Sequence, residues 1–131
     1  MSLPLLDRHS ATLQASQSAV WKAVRQYACG LTQSDHVLLA RVLGTEPKSG
    51  FELAEQVEGK CLALTGRHRF ARYRLVFELD AEPSNATKLS VLSFAAFPGA
   101  CGRLYRGLLM GTGGHVLAVR HMLRTIQRQV A

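Results

Sequence analysis

The sequence predicts an α+β fold in which an antiparallel sheet is combined with one long C-terminal helix and two short helices following the first strand. Three observations carry this. Four strand-like segments follow one another between Phe51 and Phe97, joined by connections too short for anything but hairpins. Two helix-like segments with capping residues precede them. The last thirty residues then switch from a two-residue to a 3.6-residue apolar period.

The first strand is read at Leu5 to Gln14, where Leu5, Asp7, His9, Ala11 and Leu13 alternate with Leu6, Arg8, Ser10, Thr12 and Gln14. Ser16, or Ser18, stands at an N-cap position, and Val20, Trp21, Val24 and Tyr27 follow at helical spacing until Gly30 is expected to end the run. Ser34 or Asp35 caps a second helix through Val37 to Leu43, closed by Gly44, although the same continuous apolar run suits a buried strand. Thr45 to Gly50, with its Pro47, reads as a loop.

Phe51 to Val57, Lys60 to Gly66, Arg69 to Leu79 and Thr87 to Phe97 read as strands, joined by Glu58-Gly59, by Arg67-His68 and by the polar Asp80 to Asn85 segment. In the third of these, Ala71, Tyr73, Leu75, Phe77 and Leu79 fall on one face, opposite Arg72, Arg74 and Glu78. Pro98-Gly99 ends the sheet, and Gly102 to Val130 reads as one helix. Tyr105, Leu108, Leu109, Thr112, Val116, Val119, Leu123, Ile126 and Val130 fall within an arc of roughly 100° at about 100° per residue. Arg103, Arg106, Arg120, His121, Arg124 and Arg128 form an adjacent basic arc. Both arcs keep phase across Gly111, Gly113 and Gly114, which favours a single helix with a weak centre. Each interior glycine costs on the order of 0.8–1.0 kcal/mol relative to Ala, offset by close packing, a kink or room for a ligand.

With 131 residues, 47% hydrophobic and 19% charged, the chain suits one globular domain spanning residues 1–131. No basic n-region with an apolar core opens the sequence, and no run reaches the roughly 18 apolar residues of a membrane span, so a soluble, cytoplasmic protein is expected. Cys29, Cys61 and Cys101 are odd in number and widely spaced, which argues against a disulfide framework or a structural zinc site and predicts buried or idle thiols. The net charge of +7 rests on sixteen basic residues, mostly scattered arginines without a nucleic-acid-binding motif. A solvated basic surface is the simpler reading; nucleic acid remains the less favoured partner.

The strand-to-helix junction Ala15-Ser16-Gln17-Ser18-Ala19-Val20-Trp21, the segment Gly66-Arg67-His68-Arg69-Phe70 with Tyr73, Leu75 and Phe77, and Phe97-Pro98-Gly99 before the last helix are similar to features of one superfamily. On these residues the chain resembles the polyketide cyclase/START-like (SRPBCC, helix-grip) proteins, in particular small bacterial members, over nearly its whole length. The resemblance implies a curved sheet wrapped around the C-terminal helix, with a cavity between them that relatives use for lipids, polyketides or other apolar molecules, and some for cyclase or dehydratase chemistry. Five strands are read here where the complete fold has six or seven, so either Val37 to Leu43 is a strand or the sheet is reduced.

The inner sheet face and the helix face should meet at Tyr73, Phe77, Val91, Ser93, Tyr105, Leu109, Thr112 and Val116, an apolar wall with a few hydroxyls, as expected of a small-molecule site or of plain core. Among the five histidines, His9 and His115 are the candidate polar pocket residues: His9 shares a strand face with Asp7, and His115 borders the apolar arc. No metal-spaced His pair, carboxylate pair, nucleophile elbow, phosphate loop or dinucleotide fingerprint is present, so neither a metal nor a cofactor is predicted. Three functions follow as expectations: binding of a small apolar molecule by a monomer or homodimer, cyclase or dehydratase chemistry with a cavity His, or docking of the basic helix face on RNA, ribosome or an acidic protein.

Overall fold

A computed structural model describes residues 3–33, 51–68, 71–97, 99, 103, 106 and 114–130. Val37 to Leu43, the expected second short helix, and most of Gly102 to Gly113, the expected first half of the long helix, lie outside the described residues. The described elements run β1 (Leu5–Leu13), α1 (Gln17–Gln33), β2 (Glu52–Val57), β3 (Cys61–His68), β4 (Ala71–Glu82), β5 (Ala86–Ala96) and a C-terminal helix, here α2 (Gly114–Val130). The strands form one curved antiparallel sheet in the order β1-β5-β4-β3-β2. The hairpins are those that the short connections required; β1 closes the far edge by pairing with β5.

Ser16 caps α1 as expected. Its Oγ accepts from the Ala19 amide at 3.2 Å, and its carbonyl accepts from the Val20 amide at 3.0 Å. Such a cap stabilises a helix by about 1 kcal/mol. Gly30 does not end the helix, which continues to Gln33. Its backbone does not enter the left-handed region that a glycine stop uses, and a Cβ there would meet nothing within 4 Å. The entry into α1 is tied to one end of the sheet: Gln17 Nε2 donates to the Gly59 carbonyl at 2.6 Å, Trp21 Nε1 to Glu58 Oε1 at 3.1 Å, and Thr87 Oγ1 to the Ala15 carbonyl at 2.9 Å.

Strand ends differ from expectation by a few residues. The Glu58-Gly59 turn holds, with Gly59 at φ +75° and the Lys60 amide donating to the Val57 carbonyl at 3.0 Å. β3 runs on through Arg67 and His68, which pair with Arg72 and Ala71 instead of forming the joint. β4 likewise continues to Glu82, because Ser84 and Asn85 take positive φ (64° and 57°) and turn the chain in three residues. Polar composition alone made that turn look longer than it is.

Both α1 and α2 pack on the concave face. Val20, Val24, Leu64, Phe77, Leu89, Val91, Val119 and Ile126 are among its most deeply buried side chains, with Leu13 and Trp21 beside them. Each contributes about 1.5–3 kcal/mol of transfer free energy. On α2 the buried residues Val119, Leu123 and Ile126 and the exposed Arg120, His121, Arg124 and Arg128 fall as the two predicted arcs require. The convex face is less polar than expected: Ala63, Val76 and Leu92 form a second buried cluster with Cys61 and Phe94 against it. One row across the sheet reads Arg8, Leu92, Val76, Ala63, Glu55, and the ion pairs Arg8–Glu78 (3.9 Å) and Arg74–Glu55 (3.0 Å) run beside its apolar middle. The aliphatic stems of these long side chains can shield apolar surface while their heads stay wet.

Candidate functional site

Strand register assembles the concave face row by row. One row carries His9, Val91, Phe77, Leu62 and Gln56; the next carries Asp7, Ser93, Leu75, Leu64 and Leu53; the third carries Ala95, Tyr73 and Gly66. Tyr73, Phe77, Val91, Ser93 and His9 therefore share one face within three adjacent rows. Phe77 and Val91 are fully buried, and the Phe77 ring meets the Tyr27 ring of α1 edge-on at 6.4 Å. Tyr73 is half-buried against Phe51, with ring centroids 5.3 Å apart. Val116 is half-buried near the start of α2. Tyr105, Leu109 and Thr112 lie outside the described residues, as does the side chain of His115.

Polar chemistry gathers at the β1–β5 edge. His9 Nε2 lies 3.2 Å from Asp7 Oδ2, and both side chains are about three-quarters buried. An ionised carboxylate only accepts, so Nε2 carries the proton and, in the neutral ring, Nδ1 presents a lone pair. Ser93 stands directly opposite Asp7 on the neighbouring strand and is 4% exposed, yet its hydroxyl has no hydrogen-bond partner. Among the described residues it is the one buried side-chain polar atom so placed. Leaving such a group unpaired costs about 1–3 kcal/mol. Asp7 was not singled out as a site residue from the sequence, although its two-residue spacing from His9 was the available signal.

Two openings border the described residues. One, of ≈480 Å³, lies at the turn end of the sheet between Gln17, Lys60, Cys61, Glu78, Leu79, Asp80 and Ala81. The other, of ≈210 Å³, lies between α1 and β2–β3 and is lined by Arg25, Ala28, Cys29, Thr32, Leu53, Gln56, Leu62 and Leu64. Neither is lined by the residues assigned from the sequence. Leu62 and Leu64 nevertheless belong to the same rows as Phe77 and Leu75, so the smaller groove opens at the β2 end of the same face.

Cys29 is exposed and Cys61 partly exposed, so of the two alternatives, buried or idle, full burial holds for neither; both are free thiols. Burial, then the carboxylates of Glu78 and Glu55, raise the pKa of the Cys61 thiol, with Arg74 opposing. That thiol is held protonated and is a weak nucleophile. No group of three or more potential metal ligands occurs among the described residues, and no helix there is long and apolar enough to cross a membrane.

Burial also raises the pKa of the Tyr27 phenol. The folded protein then holds that proton more tightly than the unfolded chain does. The associated stability is complete below the ordinary phenol value of about 10 and is lost as pH rises through the folded-state value. Thermal unfolding followed from pH 8 to 11 should show a falling Tm, and Tyr27→Phe should flatten the upper part of that fall; Cys61 adds a contribution of the same sign at the lower end.

A curved antiparallel sheet with an N-terminal helix and a C-terminal helix across its concave face is the START-like helix-grip fold. Solved structures share it over almost the full chain. A START superfamily protein from Mycobacterium smegmatis matches with a TM-score of 0.59 at 9% identity, covering 96% of this chain and 97% of that one. The Zhui aromatase/cyclase from Streptomyces sp. R1128 matches with a TM-score of 0.57 at 10% identity, covering 98% and 94%. A conserved protein from Geobacillus kaustophilus gives 0.60 at 14% identity, covering 94% and 93%. No protein-family model matches the chain, and no curated protein is similar to it in sequence. The likeness is one of fold.

Proposed function

We propose that this protein binds a small apolar ligand between the concave face of its sheet and the C-terminal helix. Tyr73, Phe77, Val91 and Ser93 serve as the sheet wall, and Tyr105, Leu109, Thr112 and Val116 are assigned to the helix side from the sequence. The observation that carries this is the buried, unpartnered Ser93 hydroxyl on a largely apolar face. A few convergent polar groups within an apolar wall are the usual make-up of a small-molecule site. The fold, shared with a START superfamily protein and an aromatase/cyclase, is consistent with the reading. Native mass spectrometry of freshly purified protein tests it: a co-purified apolar compound, released and identified after denaturation, supports it. A clean apo mass together with no binding in a screen of apolar compounds counts against it.

The His9–Asp7 contact favours one second reading, proton transfer on such a ligand. A histidine whose Nε2–H is held by a carboxylate presents Nδ1 as a base. Turnover of a bound polyketide-like ketone that is abolished in His9→Phe, with binding retained, would establish it; binding without turnover leaves the ligand-binding function alone.

A further inference from the structure

We propose that the solvent face of the helix layer is a docking surface for an anionic phospholipid bilayer, with the arginine stripe of α2 and Leu117 as its contact residues. Charge in this chain is divided between the two layers. All nine acidic residues lie at or before Glu82, so residues 83–131 carry no carboxylate side chain, and α1 has none either. The described carboxylates other than Asp7 belong to β2, to the Glu58-Gly59 turn or to β4. The two helices pack against each other over the concave face and expose side-chain charge of one sign: Lys22 and Arg25 on α1, and Arg120, Arg124 and Arg128 on α2. Among the described residues no carboxylate pairs with these three α2 arginines, whereas Arg8 and Arg74 of the sheet each hold one. The three follow at four-residue spacing, about 6 Å apart along the axis. Like charges so placed weaken an isolated helix, a cost that an opposing anionic surface removes.

An apolar residue decides which anionic partner fits. Leu117 is 65% exposed, more than any other large hydrophobic side chain among the described residues. At about 100° per residue it points between Arg124 and Arg128, within the basic arc and away from the sheet. Against RNA that side chain stays in water, and α2 offers no Phe, Tyr or Trp on which a base could stack. At a bilayer it enters the boundary between headgroups and acyl chains while the arginines around it meet lipid phosphates.

Co-sedimentation of the full chain with phosphatidylcholine vesicles, with and without phosphatidylglycerol, tests this. Wild-type protein should pellet with the anionic vesicles only. Raising salt from about 0.1 to about 1 M should release it, because the Debye length falls from about 10 to about 3 Å. Arg124→Gln and Arg128→Gln should each weaken partitioning about fivefold, the contribution of one basic residue at an anionic surface. Leu117→Ser should weaken it about tenfold at unchanged net charge. Arg72→Gln loses the same charge from the exposed convex face and should stay within about twofold of wild type, since that face lies beyond a Debye length from the lipid. Equal partitioning onto both vesicle types at low salt, or onto neither, overturns the proposal. Equal losses in Arg72→Gln and Arg124→Gln also overturn it, since net charge and not this face then drives adsorption. Wild-type partitioning by Leu117→Ser overturns it as well, and a preference for a single-stranded RNA oligomer over the anionic vesicles then assigns the face to nucleic acid. The wild-type vesicle comparison requires no variant to fold and no ligand on the concave face.

Discussion

Replacing Phe77 by alanine is expected to lower the unfolding free energy by about 3–5 kcal/mol, measured by urea or guanidinium denaturation. Phe77 is the largest of the fully buried side chains among the described residues. It sits mid-strand on β4, flanked by Leu62 and Val91, with Tyr27 of α1 edge-on to its ring. Removing the ring takes away its transfer free energy and leaves a cavity that two paired neighbouring strands cannot collapse to fill. Phe77→Leu, which keeps most of the volume, should cost clearly less. Arg72→Ala, at an exposed position on the opposite face of the same strand, should stay within about 0.5 kcal/mol. A loss at Phe77 no larger than at Arg72 would mean that α1 is not seated on the sheet as described.

Ile126→Ala should cost about 2–5 kcal/mol by the same measurement. Ile126 is fully buried, two turns beyond Val119, where the C-terminal helix crosses the concave face. The helix provides little stability by itself, since a 17-residue segment is marginal in isolation, so its docking depends on that apolar stripe. Arg124→Ala and Arg128→Ala, on the exposed arc of the same helix, serve as the comparison and should change stability by no more than about 0.5 kcal/mol. Equal effects at Ile126 and Arg124 would place the helix in the wrong rotation. A loss confined to Ile126 also bears on function, because the proposed ligand wall requires this helix to stay closed over the sheet.

Alternation made the β4 face legible: Ala71, Leu75, Phe77 and Leu79 are buried, with Tyr73 half-buried beside them. The α2 arcs were legible for the same reason, since a 3.6-residue period leaves little choice of buried side. Val76 and Leu92 were not, because their burial on the convex face comes from neighbours on adjacent strands, and no period within one strand contains that information. Gly30 misled because a glycine permits a helix stop without compelling one.

What the sequence determined by itself was local and periodic: the hairpin order, the Ser16 cap, the concave residues of β4 and the apolar and basic arcs of the last helix. Each follows from backbone geometry over a few residues. Tertiary structure alone decided the rest. Pairing of β1 with β5, more than seventy residues apart, set Asp7 opposite Ser93 and His9 opposite Val91. It thereby gathered the His9–Asp7 hydrogen bond and a buried unpartnered hydroxyl on one largely apolar face. Register between distant strands depends on the whole sheet and on what packs over it, and neither is written in the spacing of any one segment.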